Sequence, residues 1–420
     1  MLTRRYLIAL LMAITFIAPA LAAEPTLDWA YQVGQPGQGS AYISASPVYN
    51  NGMLYVCSLD GIVYAIHAQS GVPQWKFKAG STVLASPAFH DNTLYVGTAN
   101  GMFYAIETFS GTEKWRFKAA SNVDSTPLIM NGIVFVGSDD GRIYALKPSD
   151  GEEILNVSVG GGVSTALEGY DNVVYASTLN GRVVAVDPSF GKVKWSVNVG
   201  ERTYSPLAHD GYLYVGTYDG SVISMETYQG SMAWKSQAGG QVVSRPEYYD
   251  GNIYVGSWDG NLYAFNATNG EMAWKFSTGG PIKASPFIDK AKGIIYVGSG
   301  DRCLYAVDAR YGLQYWKFRA DSPVYSTPIM VDDKLYFSSY GTSSGGGTVY
   351  SLTLPASVAL ATPTPGPTAT PTPTVAPSEE PIVATYKPSP TSSQSWCPVP
   401  GLLGASVIGV VAVAAHRRRR

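Results

Sequence analysis

Four histidines, three cysteines and a small set of charged residues are the side chains that could do chemistry in this 420-residue chain. His67, His90, His209 and His416 stand far apart, so spacing supports neither a Ser-His-Asp set nor a metal cluster. Cys57, Cys303 and Cys397 are equally scattered and include no CxxC, which indicates neither a zinc site nor a disulfide framework. Cys57 and Cys303 fall in strand-like apolar sequence and read as packed, free thiols. The charged set is more suggestive. Asp124, Glu201, Arg202, Arg245, Glu247 and Lys283 all lie close to a recurring Ser/Thr-Pro signal. On the bland reading they are solvated residues at the mouth of a channel. On the functional reading they converge into a polar pocket there.

The elements that must position them come from a repeat of about 40 residues, running from Trp29 to about Leu354. The proline signal falls at Pro47, Pro87, Pro127, Pro206, Pro246, Pro286 and Pro328, with Ala166 filling the fourth place. Pro belongs at a strand start, so these pairs read as structural. Turn dipeptides follow at Asp60-Gly61, Asn100-Gly101, Asp140-Gly141, Asn180-Gly181, Asp219-Gly220 and Asp259-Gly260. The last of these is expected to close a two-residue hairpin. Tryptophan marks each unit at Trp29, Trp75, Trp115, Trp195, Trp234, Trp274 and Trp316, with Leu155 in one place.

The phase of these marks fixes the architecture. Each Pro is followed by two hairpin strands and then a Trp, yet Trp29 has no such strands ahead of it and the unit after Pro328 has no Trp behind it. A closed ring reconciles both ends. The expectation is an all-β, eight-bladed β-propeller with four-stranded blades, in which the N-terminal strand completes the last blade. Forty-five Gly and 29 Tyr, with only 14% charged residues, agree with a turn-rich β protein.

Outside the ring the composition changes. Residues 1–22 combine Arg4 and Arg5, an apolar run and Ala20-Leu21-Ala22, the pattern of a secretory signal peptide. The propeller is assigned to 23–355, and residues 356–396 form a Pro/Thr-rich stalk. Residues 397–420 hold a short apolar run before His416 and Arg417 to Arg420, which places the tail inside and the propeller outside a membrane. Setting aside the six arginines of leader and tail leaves 23 basic against 31 acidic residues. A chain that acidic is a poor nucleic-acid binder. Export would also make Asn156 and Asn266 N-glycosylation acceptors.

The spacing A-[IVLF]-x-x-x-x-G-x-x-x-W, at Ala65 to Trp75, Ala105 to Trp115, Ala185 to Trp195 and Ala264 to Trp274, resembles the tryptophan-docking motif of the PQQ-like propeller repeat family. The resemblance covers roughly 325 residues, with Leu155 and Ser224-Met225 departing from it. It implies that each Trp packs between neighbouring blades against a Gly-containing turn. Some members are quinoprotein dehydrogenases that hold pyrrolo-quinoline quinone (PQQ) with calcium on long loops beside an adjacent-cysteine disulfide. This chain has no adjacent cysteines and only minimal blades. It resembles instead the non-enzymatic branch that scaffolds outer-membrane protein assembly, so no cofactor is expected. The tail is similar to archaeal surface-protein sorting signals, although Pro400-Gly401-Leu402 departs from the usual Pro-Gly-Phe. The sequence therefore leads us to expect a monomeric, surface-anchored, non-catalytic module that binds an envelope protein or glycan, with a quinone-dependent oxidoreductase as the alternative.

Overall fold

A computed structural model describes residues 24–34, 41–342 and 345–355. The expected leader, stalk and C-terminal anchor lie outside the described residues. Among those described, 32 strands form eight four-stranded antiparallel sheets and there is no helix. The chain is an eight-bladed β-propeller. Blades 1 to 7 each take four consecutive strands, beginning at Val48 in blade 1 and ending at Arg319 in blade 7. Blade 8 is composite: Ile329–Val331, Lys334–Ser338 and Thr348–Thr353 are completed by Thr26–Gln32 from the N-terminus.

Blade 6 shows how the sequence makes each sheet. Its strands are Glu247–Tyr249, Asn252–Gly256, Asn261–Asn266 and Met272–Ser277. The second is apolar and almost wholly buried, because neighbouring blades cover both of its faces. The outermost strand alternates between exposed and half-buried positions, where the blades splay apart at the rim. The tight two-residue turn is Asp250-Gly251, with φ of +46° and +78°, between the paired Tyr249 and Asn252. Two left-handed residues in succession match the twist of the flanking strands. The expected two-residue turn at Asp259-Gly260 is longer. Ser257 N–H donates to Asn261 O at 3.0 Å and Gly260 N–H to Ser257 O at 3.1 Å. The Asp259 carboxylate causes the difference: it accepts from Asn261 N–H at 2.9 Å and from the Tyr263 hydroxyl at 2.5 Å, and this side-chain turn needs an extra residue.

The blades are joined by indoles. In register, Ala65 stands opposite Trp75, Ala105 opposite Trp115 and Ala264 opposite Trp274; a small residue there leaves room for the ring. Trp75 then lies over Gly111 of the next blade and donates from Nε1 to Thr108 O at 3.0 Å. The Tyr55 hydroxyl donates to the same carbonyl at 3.2 Å, using its second lone pair. Tyr254 with Trp274 on Ala309 O, and Tyr175 with Trp195 on Thr227 O, repeat this double donation. Trp29, Trp115 and Trp234 reach Ala68 O, Pro148 O and Ala267 O. Trp316 is buried with its Nε1 unpartnered among the described residues. Leu155 fills an indole place with a side chain that only approaches Gly191 at ordinary contact distance.

Closure is built as firmly as any internal blade. Thr26–Gln32 pairs antiparallel with Thr348–Thr353 from Thr26 opposite Thr353 to Gln32 opposite Thr348. Asp28 binds Lys334 Nζ at 2.8 Å, Ser351 Oγ at 2.9 Å and Thr353 Oγ1 at 2.7 Å. Burial alone would raise the Asp28 carboxyl; these donors outweigh burial and hold it below its ordinary value.

Candidate functional site

The crossover loops between blades converge on one face of the ring and surround its hub. One residue per blade faces the axis: Ser46, Ser86, Thr126, Ala166, Ser205, Arg245, Ser285 and Thr327. They line a cavity of about 340 Å³, whose wall includes Glu247 and Phe287. The main chain of one blade binds the hydroxyl of the next. Ser46 N–H donates to Ser86 Oγ at 2.9 Å, Arg245 N–H to Ser285 Oγ at 2.9 Å, and Thr327 N–H to Ser46 Oγ at 2.9 Å across the seam. Ala166 N–H reaches Ser205 Oγ at 3.1 Å in the same way. Ala166 therefore holds the hydroxyl position of blade 4, and Leu167, not Ala166, stands where the other blades carry Pro.

Arg245 replaces a hydroxyl with a long cation, and the structure gives it a partner. Its Nε donates to Pro206 O at 3.2 Å in blade 5, and its guanidinium reaches Glu168 Oε2 in blade 4 at 2.8 Å. Glu168 Oε1 accepts from Ala208 N–H at 3.0 Å. One chord thus ties three blades at the hub. Glu168 lies outside the sequence-based set, although Glu247 of that set holds the same inner-strand place two blades on. Its signal was nonetheless present: it puts a carboxylate at the inner-strand place that Val48, Ala88 and Leu128 fill with apolar groups.

Above the hub the mouth is uneven. Lys283 sits on the crossover into blade 7, its ammonium 4.3 Å from the Trp258 ring and 4.5 Å from the Tyr325 ring. Tyr325 meets Tyr340 edge-on at 5.7 Å, and Tyr340 stacks on Tyr42 at 4.8 Å and 8°. This aromatic crescent runs from blade 6 to blade 1, with Trp258 still 42% exposed. Burial lowers the Lys283 ammonium from its ordinary value.

Blade 3 carries the opposite sign. Asp124 is pushed up to about 6 by burial and by neighbouring Asp139. Asp139 is raised by burial, against the pull of Arg202. One oxygen of each is buried and unpartnered among the described residues. Arg202 is exposed and lies 5.5 Å from the Tyr204 ring, and Glu201 beside it is exposed. The six charged residues of the sequence-based set therefore separate. Lys283, Asp124, Arg202 and Glu201 lie at the mouth, whereas Arg245 and Glu247 belong to the hub beneath. Asn156 and Asn266 are exposed on outer and third strands, away from the hub.

Chemically, this surface offers aromatic faces, two cations, Lys283 and Arg202, for which no carboxylate ion pair forms among the described residues, and buried carboxylate oxygens without donors there. Among the described residues no three His, Cys, Asp or Glu side chains are grouped to hold a metal ion. At the hub, Glu168 is already bound by Arg245 and Ala208. Cys57 and Cys303 are buried and free, and burial drives the Cys57 thiol far above its ordinary value.

Fold and hub together define a closed PQQ-type propeller with a recessed, aromatic-rimmed mouth. The chain belongs to the family described as outer membrane protein assembly factor BamB, whose profile matches residues 26–128, 110–208, 180–291 and 282–354. No protein of curated function matches it in sequence. Among solved structures, BamB from Moraxella catarrhalis is 18% identical, with TM-score 0.63 over 79% of this chain and 100% of that one. The quinohemoprotein alcohol dehydrogenase of Comamonas testosteroni is 16% identical, with TM-score 0.66 over 79% of this chain and 78% of that one. The computationally designed protein Ika8 is 18% identical, with TM-score 0.65 over 76% and 99%. All three likenesses are likenesses of fold.

Proposed function

We propose that the chain is an exported propeller, held at the cell surface through its C-terminal segment, whose mouth recognises an envelope protein or glycan without catalysis. The observation that carries this reading is the pairing of an open aromatic crescent with a hub crossed by Arg245 and Glu168. A recessed surface of rings and convergent polar groups suits binding. No nucleophile beside a base accompanies it among the described residues. The leader, stalk and terminal arginines of the sequence support export and anchoring, and family membership supports a scaffold.

The test is capture from native envelope by the full-length chain and by a Trp258→Ala, Tyr340→Ala variant. The variant is expected to lose the captured component while keeping its melting temperature within a few degrees. Capture that survives the double substitution overturns the mouth reading. Redox turnover on addition of quinone and calcium would replace it with an oxidoreductase.

A further inference from the structure

The charge asymmetry of the mouth says what the ligand should look like. In a ring of eight, blade 3 stands opposite blade 7, so Asp124 and Asp139 face Lys283 across the opening. The Lys283 ammonium lies on two rings, an attraction that leaves its N–H groups without an oxygen partner among the described residues. Asp124 and Asp139 each keep one oxygen that is buried and without a donor among the described residues, and Asn122 hydrogen-bonds Asp124 as well. Between these poles lie the flat faces of Tyr42, Tyr325 and Tyr340.

We propose that the mouth binds an acidic oligosaccharide, a glycan bearing carboxylate groups, laid from blade 7 towards blade 3. This deepens the mouth reading above and rests on it. A sugar carboxylate accepts from Lys283 Nζ. The C–H face of a pyranose lies on the tyrosine rings, and sugar hydroxyls donate to Asp124 and Asp139. A neutral glycan leaves Lys283 without an anion. An acidic peptide supplies the anion but neither the stiff C–H face nor a row of hydroxyl donors.

The experiment is isothermal titration of the purified full-length chain with tetragalacturonate, with its neutral methyl ester and with tetraglutamate. Tetragalacturonate is expected to bind, and the ester at least tenfold more weakly. Lys283→Met should lose at least tenfold in affinity for the acid and little for the ester, and Lys283→Arg should restore binding. Equal affinity for acid and ester, or no binding of either at millimolar concentration, overturns the proposal. Binding of tetraglutamate alone also overturns it, yet leaves the mouth as the recognition site. The envelope capture above fails independently if the mouth is not used at all.

Discussion

Gly111 and Gly132 form a matched pair for measuring how tightly an indole is seated. Both hold φ of +71°. An alanine at either place meets the same left-handed backbone penalty, about 1–2 kcal/mol. Around Gly132 an added Cβ meets nothing within 4 Å. At Gly111 it would lie 2.5 Å from Trp75 Cδ2 and 2.7 Å from Cε3. The ring cannot easily withdraw, because its Nε1 is bound to Thr108 O and Tyr55 packs against it at 5.8 Å. Overpacking of this kind adds roughly 1–3 kcal/mol. Gly132→Ala should therefore destabilise by about 1–2 kcal/mol, and Gly111→Ala by about 2–5 kcal/mol. The assay is urea unfolding of the full-length variants followed by tryptophan fluorescence, with midpoints compared at equal slope. Equal losses at the two sites would refute the claim that close seating of the indole against glycine holds adjacent blades together.

Three further outcomes follow from the same geometry. Deleting residues 24–34 removes the strand that completes blade 8 and the donor to Ala68 O, so the whole ring should melt at lower temperature; an unchanged melting curve would disprove closure. Arg245→Met strands the mostly buried Glu168 carboxylate and should destabilise by about 2 kcal/mol, below the usual range for a buried pair because Arg245 is partly solvated. Adding Glu168→Gln should recover part of that loss, and a double variant less stable than the single would sink the assignment. Asp124, raised to about 6, binds a proton on folding, so its contribution is fully present below the unfolded carboxyl value and is lost as pH rises through about 6. Asp124→Asn should therefore gain on the parent between pH 4.5 and pH 7.5 in unfolding titrations; a difference constant with pH would contradict this.

The repeat was legible because each of its marks answers a local need. Ala must be small opposite Trp, Gly must be bare beneath it, and Pro must start a strand. These needs recur in phase, so counting them gives both the number of blades and the position of the seam. The hub and mouth were only partly legible. Arg245 is conspicuous as an exception to Ser/Thr, but its partner Glu168 lies 77 residues away. Asp139 and Trp258 sit in turns that look like ordinary punctuation, yet one raises Asp124 and the other receives Lys283. The length of the Asp259 turn is not legible in the sequence, because Asp-Gly suits a two-residue hairpin as well as the longer turn that the Asp259 carboxylate builds.

The amino-acid order alone determined a wheel of eight sheets whose first strand seals the last, because strand period, turn chemistry and indole spacing act over a few residues. The three-dimensional arrangement alone decided which charges neutralise one another and which are left facing the opening. Coulomb and hydrogen-bond energies depend on separation in space, and a closed ring brings together residues that the chain keeps far apart.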